Sequence, residues 1–562
     1  MSHRVNRIAM LSVGCLLLWG AATYAVQIAD VELELPTFHC LGVRCFVTGD
    51  TGESEEVRLE YRKAGAGEWK RALDLLRVEH EFLKGVTVPE GRQLYAGSVF
   101  DLAEDTDYEL RVTAGGASRV LKAKTWKEPE APKPLRTLYV VPGAGGGAGT
   151  RGNPFRGIGA ADAVAAPGDL ILLAQGVYPG CVTLKKSGTE EHPIVWRGPA
   201  GGGAVIDGEG KSPVVSAHGL AHVMFEDLTI RNGSWGMVAH KASHITVRRC
   251  LFTKIERGFT STQYPSRRHV IVDCVFEGPS PWPRAKGIED TEGVQIIGEG
   301  HVVAWNRFSE FGDAISIYRA PGHAIDFYNN DISECTDDGI EMDYGCVNTR
   351  CFRNRLTNCF QGISVQPLYG GPCYIFRNVQ YNVGLEILKM HNEPSGFYYL
   401  HNTSVKSGMA LTLYAGSPTH NSVFRNNLFV GTHAPYLLES TSRMVKCDWD
   451  YDGFAGTGAN FAKWNGRKYA SIEELGMMGG IEKHGVVVSP AGLFASGILP
   501  PKDVKTQFKP EVNDLRLKTG SNAVDAGLVL PNVNDGFRGN APDLGAYELG
   551  DPLPHYGPRK GK

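Results

Sequence analysis

The chain has 562 residues, more than one ordinary compact domain holds and enough to bury a large core. Its net charge of −3 and pI near 6.6 leave no electrostatic case for nucleic acid, and no polybasic run marks a membrane surface. Glycine is abundant, at 69 residues against 31 prolines, which points to many turns and so to many short strands.

The chain opens like an export signal. Arg4 and Arg7 precede the apolar run "IAMLSVGCLLLWGAA", and "TYA" ending at Ala25 reads as a small-residue cleavage site. At ~15 residues the run falls short of the ~20 a stable span needs. The expectation is a signal peptide over 1–25 and a soluble mature protein, secreted or periplasmic, with no membrane span after cleavage. Cleavage removes Cys15 and leaves eleven of twelve cysteines, an odd number that argues against a complete disulfide framework. Cys40 and Cys45 in "FHCLGVRC" are the expected pair. Cys250 and Cys274 share a repeat position and are expected as buried thiols. No CxxC occurs, so a cysteine zinc site is not expected.

Residues 27–127 read as a small β-sandwich domain. "EVRLEYRKAG" alternates as a strand does, and "GSVFDLAEDTDYELRVTA" places Leu102, a polar turn and Tyr108 in the manner of a tyrosine corner. This stretch resembles a fibronectin type III domain, which implies a spacer or docking module. The charged, proline-rich "KEPEAPKPLR" ends it, giving a linker over 128–136.

A repeat follows. Asn306, Asn330, Asn354, Asn378 and Asn402 are each 24 residues apart, and Asn427 comes 25 later. Cys250 and Cys274 hold the same place upstream, with Asp227 before them. Repeats of this length made of short β-runs and turns predict a solenoid, and a recurring Asn suits a ladder of amides stacked coil on coil. The fold class is therefore all-β, a right-handed parallel β-helix of about 24 residues per coil over 137–548, with a tail over 549–562.

The entry segment, from "TLYVVPGAGGG" through "FRGIGAADAVAAPGDLILLAQGVYPG" to "AVIDG", is similar to that of secreted β-helix proteins of the pectin-lyase-like superfamily, near the chondroitinase B-like and alginate lyases. That resemblance makes "FRGIGAADAVA" a helix over the solenoid's open end. It makes "DLRLKTGSNAVDAG…RGNAPDLGAYE" the closing segment. It implies fold more than reaction, since the superfamily holds lyases, hydrolases, epimerases and non-enzymes.

Strands that follow the turn in successive coils align as "EGVQII", "DAISIY", "DGIEMD", "QGISVQ" and "GLEILK". Alternation turns Val294, Ile315, Ile340, Ile363 and Leu385 inward, with Ile296, Ile317, Met342, Val365 and Ile387. Gln295, Ser316, Glu341, Ser364 and Glu386 then form one outward column, and Ile297, Tyr318, Asp343, Gln366 and Leu388 the next. Glu292, Asp313 and Asp338 occupy the turn before. The expectation is an acidic patch on the outside of the solenoid. Tyr318, Tyr369, Trp282, Gln366 and Arg319 stand nearby to bind a sugar chain, and the long coil at 277–293 supplies a loop at one end.

Crowded carboxylates are what glycoside hydrolysis needs, because mutual repulsion raises one pKa and separates acid from base. Glu341 is the candidate acid; Asp343, Asp338 and Asp313 compete for nucleophile or base. The exported enzyme this predicts cleaves a polysaccharide by acid/base hydrolysis and acts as a monomer. A first alternative is a calcium-assisted lyase. Residues 384–416 resemble the catalytic stretch of the alginate and chondroitinase B-like lyases at Glu386, Lys389, Asn392 and Asn402-Thr403. The match implies Lys389 as base and Glu386 as a calcium ligand, with Glu292 a second acid for such an ion. It departs at Tyr414-Ala415-Gly416, where the family carries a second basic residue; Arg319 is the substitute. A second alternative is a non-catalytic surface or carbohydrate-binding β-helix. The polygalacturonase pattern is incomplete: a "DD" is present, but no Gly-His-Gly and no Arg-Ile-Lys follow it. His391, His401 and His240 lie near outward positions, and spacing does not separate catalytic from structural roles among them.

Overall fold

The computed structural model describes residues 26–50, 52, 56–284, 290–414, 416–512 and 514–561. The expected signal peptide, Cys15 and the middle of the 277–293 loop lie outside them. Among the described residues, no helix is long and apolar enough to cross a membrane.

From Arg136 onward the chain winds as a right-handed parallel β-helix of about 12 turns. Its walls are a 15-stranded and an 18-stranded sheet in which successive coils pair in parallel. The short helix Ile158–Val164 lies at the start, with Ile158 and Ala161 buried against the first coils, as the "FRGIGAADAVA" stretch predicts. Inward side chains form one continuous core from Leu138 to Ile481. Like sits on like along it: Phe252, Phe276 and Phe308 stack at 4.6 and 4.8 Å, which is the coil rise itself.

The asparagines form the expected ladder. Each side-chain oxygen accepts the backbone N–H and the amide of the residue one coil before, as Asn354 does from Asn330 at 3.1 and 2.9 Å. Each amide also donates to a carbonyl of the preceding coil, Asn354 to Phe327 at 2.9 Å. Cys250 and Cys274 continue the ladder as buried thiols, the Cys250 N–H donating to the Cys274 sulfur. Asp227 does not belong to it. It has a left-handed φ of 56°, matching the 56° of Asp273 and 52° of Trp305 one position before Cys274 and Asn306, so Leu228 holds the ladder place. Downstream the ladder ends in two buried acids: Asn427 donates to Asp452, whose N–H donates to Glu482.

The N-terminal residues form two four-stranded antiparallel sheets. One runs Gln27–Leu33, Leu41–Thr48, Gln93–Val99, Leu76–Arg77; the other Lys70–Arg71, Arg58–Lys63, Asp107–Ala114, Ala117–Lys124. They share a core, and the Tyr108 hydroxyl accepts the Ala103 N–H at 3.0 Å, closing the corner. Cys40 and Cys45 are not bridged: both are buried free thiols. Cys45 points into the core between the sheets, whereas Cys40 packs with Phe38 and Phe100 toward the solenoid. The unit is docked rather than tethered. Phe100 meets Tyr374 and Phe376 at 4.9 Å, Arg353 forks onto Asp101 at 2.6 and 2.7 Å, and the buried Arg350–Asp326 pair reaches Ser98. The closing segment packs Leu515, Leu517, Leu544 and Tyr547 along the coils. The tail is anchored too, Arg559 binding Asp273 at 2.6 Å and Glu128 at 2.8 Å.

Asn354→Ala removes four ladder bonds and strands two N–H donors of Asn330 and the Phe327 carbonyl. It is expected to lower stability by at least about 2 kcal/mol in chemical denaturation. A loss under about 0.5 kcal/mol would show the ladder to be dispensable.

Candidate active site

On the 18-stranded sheet, each coil bends at the same point and turns three side chains away from the central core, at positions i, i+3 and i+5. From Arg257 to Gln361 the residue after the first is glycine or alanine, for a steric reason. A Cβ on Gly293 would lie 2.4 Å from the Ala314 carbonyl, and one on Gly362 would lie 2.4 Å from that of Ile387. Pairing sets Arg257 beside Glu292 and Glu292 beside Asp313; the Asp338 N–H donates to Asp313 at 2.7 Å, and Asp338 pairs with Gln361. The second column is Thr260, Gln295, Ser316, Glu341, Ser364 and Lys389.

Here the structure corrects the alignment of the last coil. Leu388 pairs with Ile363 and Lys389 with Ser364, so "GLEILK" is shifted by three residues from its expected place. Gly384 imitates the glycine of the other coils, but Ile387 stands in that position. Glu386 therefore belongs to the first column, its N–H donating to Gln361 at 3.1 Å, and Leu388 is fully buried. Lys389 enters the column of Glu341, and the same offset of 25 residues, counted two positions past the end of the pairing, matches His391 to Gln366. Three coils thus make a grid: Asp338, Glu341, Asp343; Gln361, Ser364, Gln366; Glu386, Lys389, His391.

The acids are far more buried than a surface patch would be. Asp338 is 0% exposed, Glu292 4%, Asp343 6% and Asp313 7%. Burial pushes Glu292 up to about 8 despite bonds from Ser316 at 2.7 Å and Gln295 at 3.1 Å. Burial, then Glu292 and Asp338, drive Asp313 well above the carboxylate range. Burial lifts Asp338 to about 7 against the pull of Lys389, whose Nζ sits 2.6 Å from Oδ2. Burial opposes the Lys389 ammonium, but Asp338 outweighs it and holds the charge on. Burial takes Asp343 to about 6, restrained by the Ser364 hydroxyl and the Gln366 N–H, both at 2.6 Å. Glu341 is raised well above its ordinary value by burial, then by Asp313 and Asp343.

The remaining candidates surround this grid. The Arg319 guanidinium lies 5.1 Å above the Tyr318 ring, and Tyr344 and Tyr369 pack at 5.8 Å. Trp282 lies in the loop of the long coil, where Arg284 covers Phe360 at 4.2 Å and approaches Asp337 at 3.6 Å. Gln366 has a buried Oε1 with no partner among the described residues. Sequence reasoning missed the roles of Gln361 and Ser364. Of the three histidines, His401 is buried against Asn426, Asn534 and Gly545, and His240 accepts the Thr262 N–H, so both are spent on structure.

Two sets of carboxylates bring oxygens within 4.8 Å of one another: Glu292, Asp313 and Glu341, and Asp313, Asp337 and Asp338. An all-oxygen set suits a hard cation such as calcium, and the buried, unpartnered Oδ1 of Asp338 is a free acceptor for one. Glu292 and Glu386 do not share such an ion, because four coils, about 19 Å, separate them. Glu386 is occupied otherwise, by His391 at 3.1 Å and the Tyr414 N–H at 2.6 Å.

A family model described as a right-handed β-helix region matches residues 214–447. An uncharacterized protein, YwoF, of Bacillus subtilis (strain 168) is 29% identical over 127 residues, covering 20% of this chain and 27% of that protein. The matched part is thus about a quarter of that relative's length. Among solved structures, the chain is similar to XylC in complex with xylose (10% identity, TM-score 0.48, 74% of this chain and 98% of that one). It is also similar to pectate lyase Pel9A (18%, 0.38, 74% and 97%) and to a polygalacturonase from Erwinia carotovora (13%, 0.36, 62% and 100%). At these identities the likeness is one of fold.

The raised acids carry a pH signature. A carboxyl whose folded pKa lies above its unfolded value stabilises the fold below the unfolded value, and that contribution is lost as pH rises to the folded one. For Glu292 the window runs from 4.5 to about 8. With chelator present, Glu292→Gln is expected to gain on the parent between pH 5 and pH 8, by up to about 1.4 kcal/mol per pH unit in denaturant titrations. A difference constant with pH would refute an uncompensated buried acid at this position.

Proposed function

We propose that the chain is an exported carbohydrate-active enzyme that hydrolyses glycosidic bonds of a polysaccharide, with Glu341 as the proton donor. One observation carries this reading. Among the described residues, Glu341 is the one carboxylate of the site with neither a hydrogen-bond donor nor a cation in reach, and it remains partly exposed. An acid raised by burial and by four neighbouring carboxylates holds its proton more tightly than a free carboxyl does. It can then give that proton to a leaving oxygen. Asp343, on the same face and about 6.5–7 Å away along the strand, offers negative charge to the cation that develops at the anomeric carbon. Tyr318, Tyr344 and Tyr369 offer ring faces to sugars, and Gln366 and Arg319 offer polar contacts.

The lyase reading needs Lys389 as a neutral base. Its engagement with Asp338 at 2.6 Å opposes that role. Calcium, when bound, would be held by Asp313 with Glu292 or Asp338 and would supply charge against these acids. Export rests on the sequence of residues 1–25. We read the N-terminal unit as a fibronectin type III-like docking module, since its contacts are made to the solenoid.

The test is a screen of the mature protein on neutral, uronate-containing and sulfated polysaccharides, with calcium and with chelator. Reducing ends without ultraviolet absorbance of unsaturated sugar are expected, and Glu341→Gln should lower kcat by about 10²–10⁴-fold. Absorbance that rises with the reducing ends and vanishes with chelator would move the chemistry to Lys389 and make the acids calcium ligands.

A further inference from the structure

Hydrolysis needs a group that takes the proton of the attacking water, and none of the acids is well placed for it. Asp338 is bound to Lys389, and Asp313 is buried and accepts the Asp338 N–H. Asp343 is 6% exposed, with one oxygen accepting two bonds. The third row of the grid supplies what they lack. The His391 side chain is 30% exposed, and its Nε2 lies 3.1 Å from Oε2 of Glu386, which is 1% exposed. Glu386 is itself fixed on two sides, its other oxygen accepting the Tyr414 N–H at 2.6 Å and its own N–H donating to Gln361.

We infer that His391, oriented by Glu386, is the general base of this site; the assignment rests on the hydrolytic reading above. A carboxylate accepts, so the bond to Glu386 places the imidazole proton on Nε2 and leaves the Nδ1 lone pair open. His391 stands two coils from Glu341 and one column over, about 10 Å along the stack. That leaves room for a sugar ring and a water between them. Gln366 sits between the two rows, its buried Oε1 without a partner among the described residues.

The step balances. Glu341 gives its proton to the glycosidic oxygen as the carbon–oxygen bond breaks and its electrons pass to that oxygen. Water forms the new bond to the anomeric carbon and its proton passes to Nδ1 of His391. The resulting imidazolium is paired with Glu386 until it releases the proton to solvent, and Glu341 is reprotonated from solvent. The water attacks opposite the leaving group, so the product anomer is inverted.

The test uses the full chain on a polymer it cleaves, with Glu341→Gln, His391→Ala and Glu386→Gln compared side by side. His391→Ala is expected to lose about 10²–10⁴-fold in kcat with KM little changed, and to recover part of it with added imidazole. Glu386→Gln, which still accepts the Tyr414 N–H, should lower kcat without raising KM. Rescue separates lost chemistry from lost structure, because added imidazole does not repair a misfolded coil. If Glu341→Gln is inactive while His391→Ala keeps its rate, or loses it without rescue, the base assignment alone falls. An active Glu341→Gln, or a parent chain that releases no reducing ends, overturns the hydrolytic reading and this assignment with it.

Discussion

Lateral hydrogen bonding between coils is the constraint from which everything else in this structure follows. It fixes which residue of one coil lies on which residue of the next, and it does so without regard to even spacing in sequence. On the ladder the spacing is 24 from Asn306 to Asn402. On the site face, Glu292, Asp313, Asp338, Gln361 and Glu386 are separated by 21, 25, 23 and 25 residues, yet they share one column. The turns absorb the differences. A column is therefore a property of the backbone pairing, and a short motif repeated across coils becomes a two-dimensional array of side chains.

This explains what could be read from the sequence. The ladder was legible because a buried amide has to be satisfied in every coil, which keeps both the residue type and the interval constant. The inward Ile and Val positions were legible for the same reason. The last coil was not, because the glycine used to anchor it is an effect of close packing at the bend rather than its cause. Ile387 is accommodated where the other coils need glycine or alanine, and Gly384 offered a false match three residues away. With that anchor removed, "DGIEMD", "QGISVQ" and "EILKMH" show the same i, i+3, i+5 pattern, and His391 appears beside Gln366. The buried end of the ladder was hidden differently: Asp452 keeps the step of 25 residues from Asn427, but an acid replaces the amide there, and Glu482 follows only after 30.

The electrostatics of the site follow from the same stacking. Coils about 4.8 Å apart force like columns of acids to face one another at distances where both cannot ionise freely. The fold offers few counter-charges: Lys389 meets Asp338, and Arg284 approaches Asp337. Donors hold Glu292 and Asp343 from the side, through Ser316 and Ser364. Burial outweighs these bonds, so Glu292, Asp313, Asp338, Glu341 and Asp343 all move upward. Such a cluster destabilises the folded chain unless protons or a cation are taken up. A site of this kind therefore stores its chemistry as proton occupancy.

The three rows divide that occupancy among different tasks. The first row is acid-rich, and within it Glu341 alone lacks a donor among the described residues, so its proton is the one free to leave for a ligand. The middle row, Gln361, Ser364 and Gln366, carries no charge and ties the acids to the coil beyond. The third row reverses the first: Lys389 answers Asp338 across two coils, and Nε2 of His391 meets Glu386. In the proposed reading, the proton donor Glu341 and the proton acceptor His391 lie at opposite ends of this neutral strip. That separation is set by two steps of coil rise, a distance the backbone cannot vary, and on the proposed hydrolysis it is what leaves room for a sugar ring and a water between the two groups.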